Sequence, residues 1–198
     1  MKKPEIFPLF PTPLFTDCYG ACKTEFEFIK SLEYEDQGGK NKNKRSKNTY
    51  ILKEDALDKL ASFIEQRLKI YSKDVLATST KLFTTQSWAS LNPPGSTHHH
   101  HIHPNSLVSG SFYLNPEKNM PPIIFHREFF PMRFSINKYN FFNSTTFSMR
   151  PEEGNLVLFP STLRHSVELN ETEADRYSIS FNTFADSLGD IERLDYLT

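Results

Sequence analysis

Residues 152–184 read EEGNLVLFPSTLRHSVELNETEADRYSISFNTF. Gly154 marks a turn, Asn155 to Phe159 forms a short apolar run, and Pro160 closes it. A second run, His165 to Leu169, ends at Asn170 and Glu171, which predict a hairpin turn. The segment Arg176 to Phe184 then alternates, with Arg176, Ser178, Ser180 and Asn182 on one face and Tyr177, Ile179, Phe181 and Thr183 on the other. That period of two is the mark of a strand with one polar and one largely apolar side.

The same kind of segment recurs upstream. Leu82 to Ser90, Ser106 to Leu114, Ile123 to His126, Met132 to Ile136 and Thr145 to Met149 are short β-like runs punctuated by Pro, Asn and Gly. Many short strands so separated predict a sandwich or barrel of the jelly-roll kind over residues 81–198. Residues 1–80 read as mainly helical. Leu57, Leu60, Ala61, Ile64, Leu68 and Tyr71 form one stripe of a 3.6-residue helix, with Glu54 and Asp55 near its positive end. A shorter helix is predicted from about Lys23 to Tyr34. The fold class expected is α+β, a jelly-roll core flanked by N-terminal helices, with residues 1–198 as one domain.

Composition narrows the functional classes. The chain has 198 residues, 18 Phe, 8 Tyr, 7 Gly and 2 Cys, which excludes collagen-like, disordered and coiled-coil chains as well as disulfide frameworks. With 23 Lys+Arg against 24 Asp+Glu, no global field attracts nucleic acid or an anionic membrane. The basic loop expected over residues 37–50 carries Lys40, Lys42, Lys44, Arg45 and Lys47. It lacks interleaved aromatics and apolar periodicity, and reads as solvated, so nucleic acid has no support beyond it. No apolar run approaches the roughly 20 residues of a membrane helix, and the prolines at 4, 8, 11 and 13 break any secretory leader. Cys18 and Cys22 read as reduced thiols near a helix start, which favours a cytoplasmic setting.

The chemistry lies in the histidines. All seven fall between His98 and His165. His101 and His103 are two apart, and alternate residues of a strand share a face with Cα atoms roughly 6.7 Å apart, so both imidazoles can converge on one metal. His165, on a separate strand, is the expected third ligand. His98, His99 and His100 are expected in a loop near the mouth. Arg176 and Ser178 share a face and could form a carboxylate receptor, or could belong to an outer strand with its polar side in water. The expected hairpin at Asn170 would bring them beside the strand of His165.

Taken together, LFPTPLF (residues 9–15), QSWASLNPPG (86–95), HIHPNSLVSGSFYL (101–114), EEGNLVLFPSTLRHSV (152–167) and RYSISFN (176–182) resemble the iron(II) and 2-oxoglutarate dependent oxygenases, and more closely a branch found in bacteria and marine phages. The resemblance implies a double-stranded β-helix, Fe(II) as cofactor, 2-oxoglutarate and dioxygen as cosubstrates, and hydroxylase-type oxidation of a substrate the sequence does not name. It also implies His101, His103 and His165 as metal ligands and Arg176 with Ser178 as the receptor for the distal carboxylate. Trp88, Tyr113 and Asn105 are expected to line the pocket. The usual first motif of that superfamily is His-x-Asp or His-x-Glu. Here it is His101-Ile102-His103, so either His103 takes the carboxylate's place or that position is left to water or another residue. Two other classes remain open from the residues themselves: a three-histidine cupin-like metal enzyme without 2-oxoglutarate, and a non-catalytic jelly-roll binding module.

Overall fold

The computed structural model describes residues 3–38, 42–114, 119–128 and 135–188. Eleven strands and two α-helices occur among them, and every strand pairing is antiparallel. The strands are β1 (Phe15–Cys18), β2 (Tyr34–Asp36), β3 (Lys44–Ser46), β4 (Leu82–Asn92), β5 (His98–His101), β6 (Val108–Tyr113), β7 (Ile123–His126), β8 (Thr146–Met149), β9 (Asn155–Pro160), β10 (His165–Val167) and β11 (Arg176–Ala185). The helices are α1 (Lys23–Ser31) and α2 (Asp58–Ile70). A major sheet runs β1-β9-β6-β11-β4-β3-β2 and a minor sheet β5-β10-β7-β8. The jelly-roll expectation holds, with helices on the major sheet.

Each face of β11 meets a different environment. Its apolar residues Ile179 and Phe181 join Phe112, Leu156, Leu158 and Ala89 under α2, whose stripe of Leu60, Ile64 and Leu68 is fully buried together with Leu57 and Tyr71. Each such aliphatic side chain taken out of water contributes about 1.5–3 kcal/mol. The stripe predicted for α2 is therefore the main adhesive of this layer. Its helical start lies later than Glu54, because Ile51–Lys53 and Asp55–Leu57 are 3-10 turns. A smaller apolar cluster, Tyr113, Ile123, Phe125, Val157 and Phe159, fills one end of the space between the sheets.

Gly110 on β6 faces Phe181 on β11 in register. A Cβ there would lie 2.1 Å from the Phe181 ring, which must move before any side chain fits. Gly110→Ala is expected to destabilise the fold by about 1–3 kcal/mol, as overpacking does. The check is a thermal melt lowered by several degrees, at roughly 2–4 °C per kcal/mol for a domain of this size.

Several expectations change in the structure. The N-terminal part supplies three strands as well as helices. Of the expected basic loop, Lys44–Ser46 is β3, paired with β2 on one side and β4 on the other. Lysine-rich sequence is found close to a sheet edge as well as in a solvated loop, and β3 is next to the edge strand β2. Here the charges are met across strands, Arg45 by Glu35 at 2.8 Å, and Lys47 by Glu33 at 2.8 Å. Lys40 lies outside the described residues. The strand expected at Met132 to Ile136 falls largely outside them too, and Ser135 and Ile136 are not in a strand. His98, His99 and His100 form β5 with His101, in place of a loop. Finally, the turn at Asn170 is not a hairpin between neighbours. Asn170 Nδ2 donates to the carbonyls of Asn92 (2.9 Å) and Ala174 (2.8 Å), and the chain crosses there from the minor to the major sheet.

Candidate metal centre and anion pocket

Three histidines converge between the sheets. His101 ends β5 and lies opposite His165 on β10. His103 lies just past the end of β5, its amide donating to the Ser161 carbonyl at 2.9 Å, so the shared strand face expected for His101 and His103 gives way to a strand end and a turn. Asn105, at φ 58°, adopts the left-handed conformation that reverses the chain after His103 and is exposed, which makes it a turn residue and not a wall of the pocket. Their ligand atoms nevertheless come together, all within 4.8 Å of one another. His103 Nε2 is 3.2 Å from His165 Nε2.

Hydrogen bonds set the free nitrogen of two of these rings. His101 Nδ1 faces the His99 carbonyl at 2.8 Å and His165 Nδ1 faces the Leu163 carbonyl at 2.9 Å. A carbonyl only accepts, so each Nδ1 carries the proton and each Nε2 keeps its lone pair. Burial keeps the rings neutral, pushing His165 down to about 3 and His103 to about 4 and lowering His101. Trp88 stacks on His103 at 5.8 Å between ring centroids, and Phe159 meets His165 edge-on at 4.8 Å. Neutral, oriented, basic nitrogens against apolar walls are what a divalent transition metal requires. Two nitrogens each at ~2.1 Å from one ion lie up to roughly 4.2 Å apart, so the cluster fits such an ion with small side-chain adjustment. No carboxylate joins this group among the described residues.

The polar face of β11 points into the same interior, not to water. Arg176 is only 4% exposed and Ser178 is buried beside it. Arg176 pairs in register with Asn92, and Ser178 with Ser90, on β4. Its guanidinium donates a long bond to Asn92 Oδ1 (3.4 Å) and lies over the Tyr113 ring at 5.2 Å, yet among the described residues no carboxylate pairs with it. Burial lowers the affinity of this group for its proton, the Tyr113 hydroxyl partly offsetting it. Two polar atoms in this corner have no partner among the described residues, Arg176 Nε and Asn92 Nδ2, and neither has Ser96 Oγ in the turn that follows β4. An unpaired buried cation with idle donors around it costs several kcal/mol unless an anion is bound. Trp88 stands against His103 and the buried Tyr113 against Arg176. Asn92 and Ser96 were not anticipated. The alternation Trp88, Ser90, Asn92 in QSWASLN was the signal that could have placed Asn92 on the inner face.

Arg176 was expected beside the strand of His165. It instead stands on the opposite sheet, since β11 pairs with β4 and β6 while β10 pairs with β5 and β7. Metal cluster and cation still face the same interior between the sheets: Trp88, on the β4 face that carries Asn92, stacks on His103, and Tyr113, under Arg176, packs with Phe125 and Phe159 beside His165.

A search of curated proteins gave no match. Among solved structures the chain is similar to a Pseudomonas putida prolyl-4-hydroxylase (TM-score 0.62, 14% identity, 86% of this chain and 92% of that one). It is similar also to HygX from Streptomyces hygroscopicus with nickel and 2-oxoglutarate bound (TM-score 0.62, 14% identity, 87% and 82%), and to a 2OG-Fe(II) oxygenase family oxidoreductase from Burkholderia pseudomallei (TM-score 0.60, 12% identity, 80% and 76%). At these identities the likeness is one of fold. Residues 86–182 match the model of a family described as "Putative 2OG-Fe(II) oxygenase". The segment that builds both the histidine cluster and the Arg176 corner thus belongs to the 2OG-Fe(II) oxygenase family, enzymes that use Fe(II), 2-oxoglutarate and dioxygen.

Proposed function

We propose that this protein is an Fe(II)- and 2-oxoglutarate-dependent dioxygenase in which His101, His103 and His165 hold the metal and Arg176 with Ser178 holds the far carboxylate of the cosubstrate. The observation that carries this reading is the buried Arg176, unpaired by any carboxylate among the described residues, facing the same interior as three neutral histidines. Charge supports it. Three neutral ligands leave a divalent ion its full +2, and Arg176 adds +1, with no carboxylate among the described residues joining the histidine cluster or pairing with the guanidinium. A dianionic five-carbon keto diacid, chelating at one end and salt-bridged at the other, brings −2 to that interior.

When bound, Fe(II) with dioxygen supplies the oxidising power while 2-oxoglutarate is decarboxylated to succinate. The chain's own residues orient and exclude. The Leu163 and His99 carbonyls aim Nε2 of His165 and His101, Trp88 fixes the His103 ring, and the guanidinium fork sets the distance and direction of the diacid. Phe125 and Phe159 keep water from that side of the cluster. Two free thiols, exposed Cys18 and buried Cys22, support a reducing, cytoplasmic setting.

Anaerobic titration tests the reading. Fe(II)-loaded protein is expected to develop a visible charge-transfer band as 2-oxoglutarate is added, and to saturate at submillimolar concentration. Iron that binds without any such band at millimolar 2-oxoglutarate would favour the three-histidine metal enzyme that uses no keto acid.

A further inference from the structure

In a regular strand, residues three apart point to opposite faces. His98 and His101 are three apart on β5, yet their rings stack at 4.4 Å between centroids and 18° between planes. The register shows why. His165 lies opposite His101, and Val167 opposite His98, so three steps along β5 match two along β10. This is a β-bulge, a device that re-aims a side chain and is common next to active sites. Its effect here is to turn His98 onto the inner face beside His101. His100, by contrast, packs against His126, whose Nε2 is bonded to Ser166 Oγ at 2.8 Å; Ser166 neighbours His165 and so points to the other face of β10.

His98 stands beside the histidine cluster on the inner face of β5. It touches the metal cluster through His101, and the positive field of Arg176 reaches it from the far corner. It is not one of the convergent ligands, and among the described residues its ring makes ring contacts and no hydrogen bond. A neutral imidazole has one N–H to donate.

Resting on the dioxygenase reading above, we infer that His98 is a cosubstrate-binding residue: turned inward by the β5 bulge, its N–H holds a carboxylate of the diacid that spans the gap between the histidine cluster and Arg176. The bulge is then a functional feature, and the length of diacid accepted is set jointly by His98 and Arg176.

The test uses the full chain loaded anaerobically with Fe(II), titrated with 2-oxoglutarate and followed by the visible band, with Fe(II) affinity measured separately without 2-oxoglutarate. His98→Ala is expected to weaken 2-oxoglutarate at least ~10-fold, one lost hydrogen bond to a charged group at ~1.4 kcal/mol per tenfold, and to leave Fe(II) affinity within about 2-fold. His98→Asn, which keeps a donor, is expected to recover part of the loss, and His100→Ala to change neither quantity. Unchanged 2-oxoglutarate affinity in His98→Ala overturns the inference, and so does an equal loss in Fe(II) affinity, which would make His98 a prop for His101. Wild-type protein that binds iron but no 2-oxoglutarate would instead sink the dioxygenase reading itself.

Discussion

Arg176→Met is expected to weaken 2-oxoglutarate binding at least ~30-fold while raising the melting temperature of the cosubstrate-free protein. Both effects come from one fact: the guanidinium is 4% exposed and lacks an anionic partner among the described residues. Removing one side of a desolvated charge pair costs on the order of 2–5 kcal/mol of binding, and at ~1.4 kcal/mol per tenfold the loss is roughly 30-fold or more. Without cosubstrate, the same guanidinium is a buried charge whose replacement by an apolar chain of similar volume is often stabilising by about 1–4 kcal/mol. A rise of several degrees follows, at roughly 2–4 °C per kcal/mol. Fe(II) affinity is expected to stay near wild type, since Arg176 is not among the convergent ligands. Arg176→Lys is expected to recover only part of the affinity, because an ammonium keeps charge without the fork. Equal 2-oxoglutarate affinity in wild type and Arg176→Met would remove the main support for the cosubstrate.

His165→Ala is expected to weaken Fe(II) binding by at least about 100-fold. Losing even an orienting partner of a ligand typically lowers metal affinity ~10–100-fold, so loss of a ligand lies at or beyond the upper end. His165 is the most buried of the three, and its ring is fixed by the Leu163 carbonyl. His103→Asp is expected to keep Fe(II) at least as tightly as wild type, since a carboxylate adds negative charge to a cluster that no carboxylate joins among the described residues. Both measurements belong in a background of His100→Ala and His126→Ala, so that weak binding at that pair does not obscure the site. Fe(II) bound equally by His165→Ala, in anaerobic competition with a chelator, would show that the cluster is not the metal centre. Loss of binding in His103→Asp would show that imidazole, not merely a donor at that position, is required.

Local pattern carried a large share of what is seen. The stripe on α2, the runs that became β4, β6, β7, β9 and β11, and the turn at Gly154 were legible because their causes are local: a period of 3.6, a period of two, and a residue at φ +77° where a Cβ would meet the Gly20 carbonyl at 2.2 Å. The short strands β2 and β3, which close one end of the major sheet, were not legible, since their stability comes from Ser46, whose Oγ accepts from the Ala89 amide at 3.0 Å, and from ion pairs across the strands, none of which has a signature in the segment itself.

For the site, sequence by itself determined which residue types were available: a histidine pair two apart, a third histidine on a separate strand, and an arginine on the polar face of an alternating strand. Only the tertiary structure decided that this polar face looks inward, that β10 and β11 lie on opposite sheets, and that Asn92 stands against Arg176 with its Nδ2 unpartnered. It alone brought His98 to the inner face. Periodicity tells which residues share a face of one element, but which faces meet, and where an extra residue bulges, depends on packing between segments far apart in the chain, and no local pattern records it.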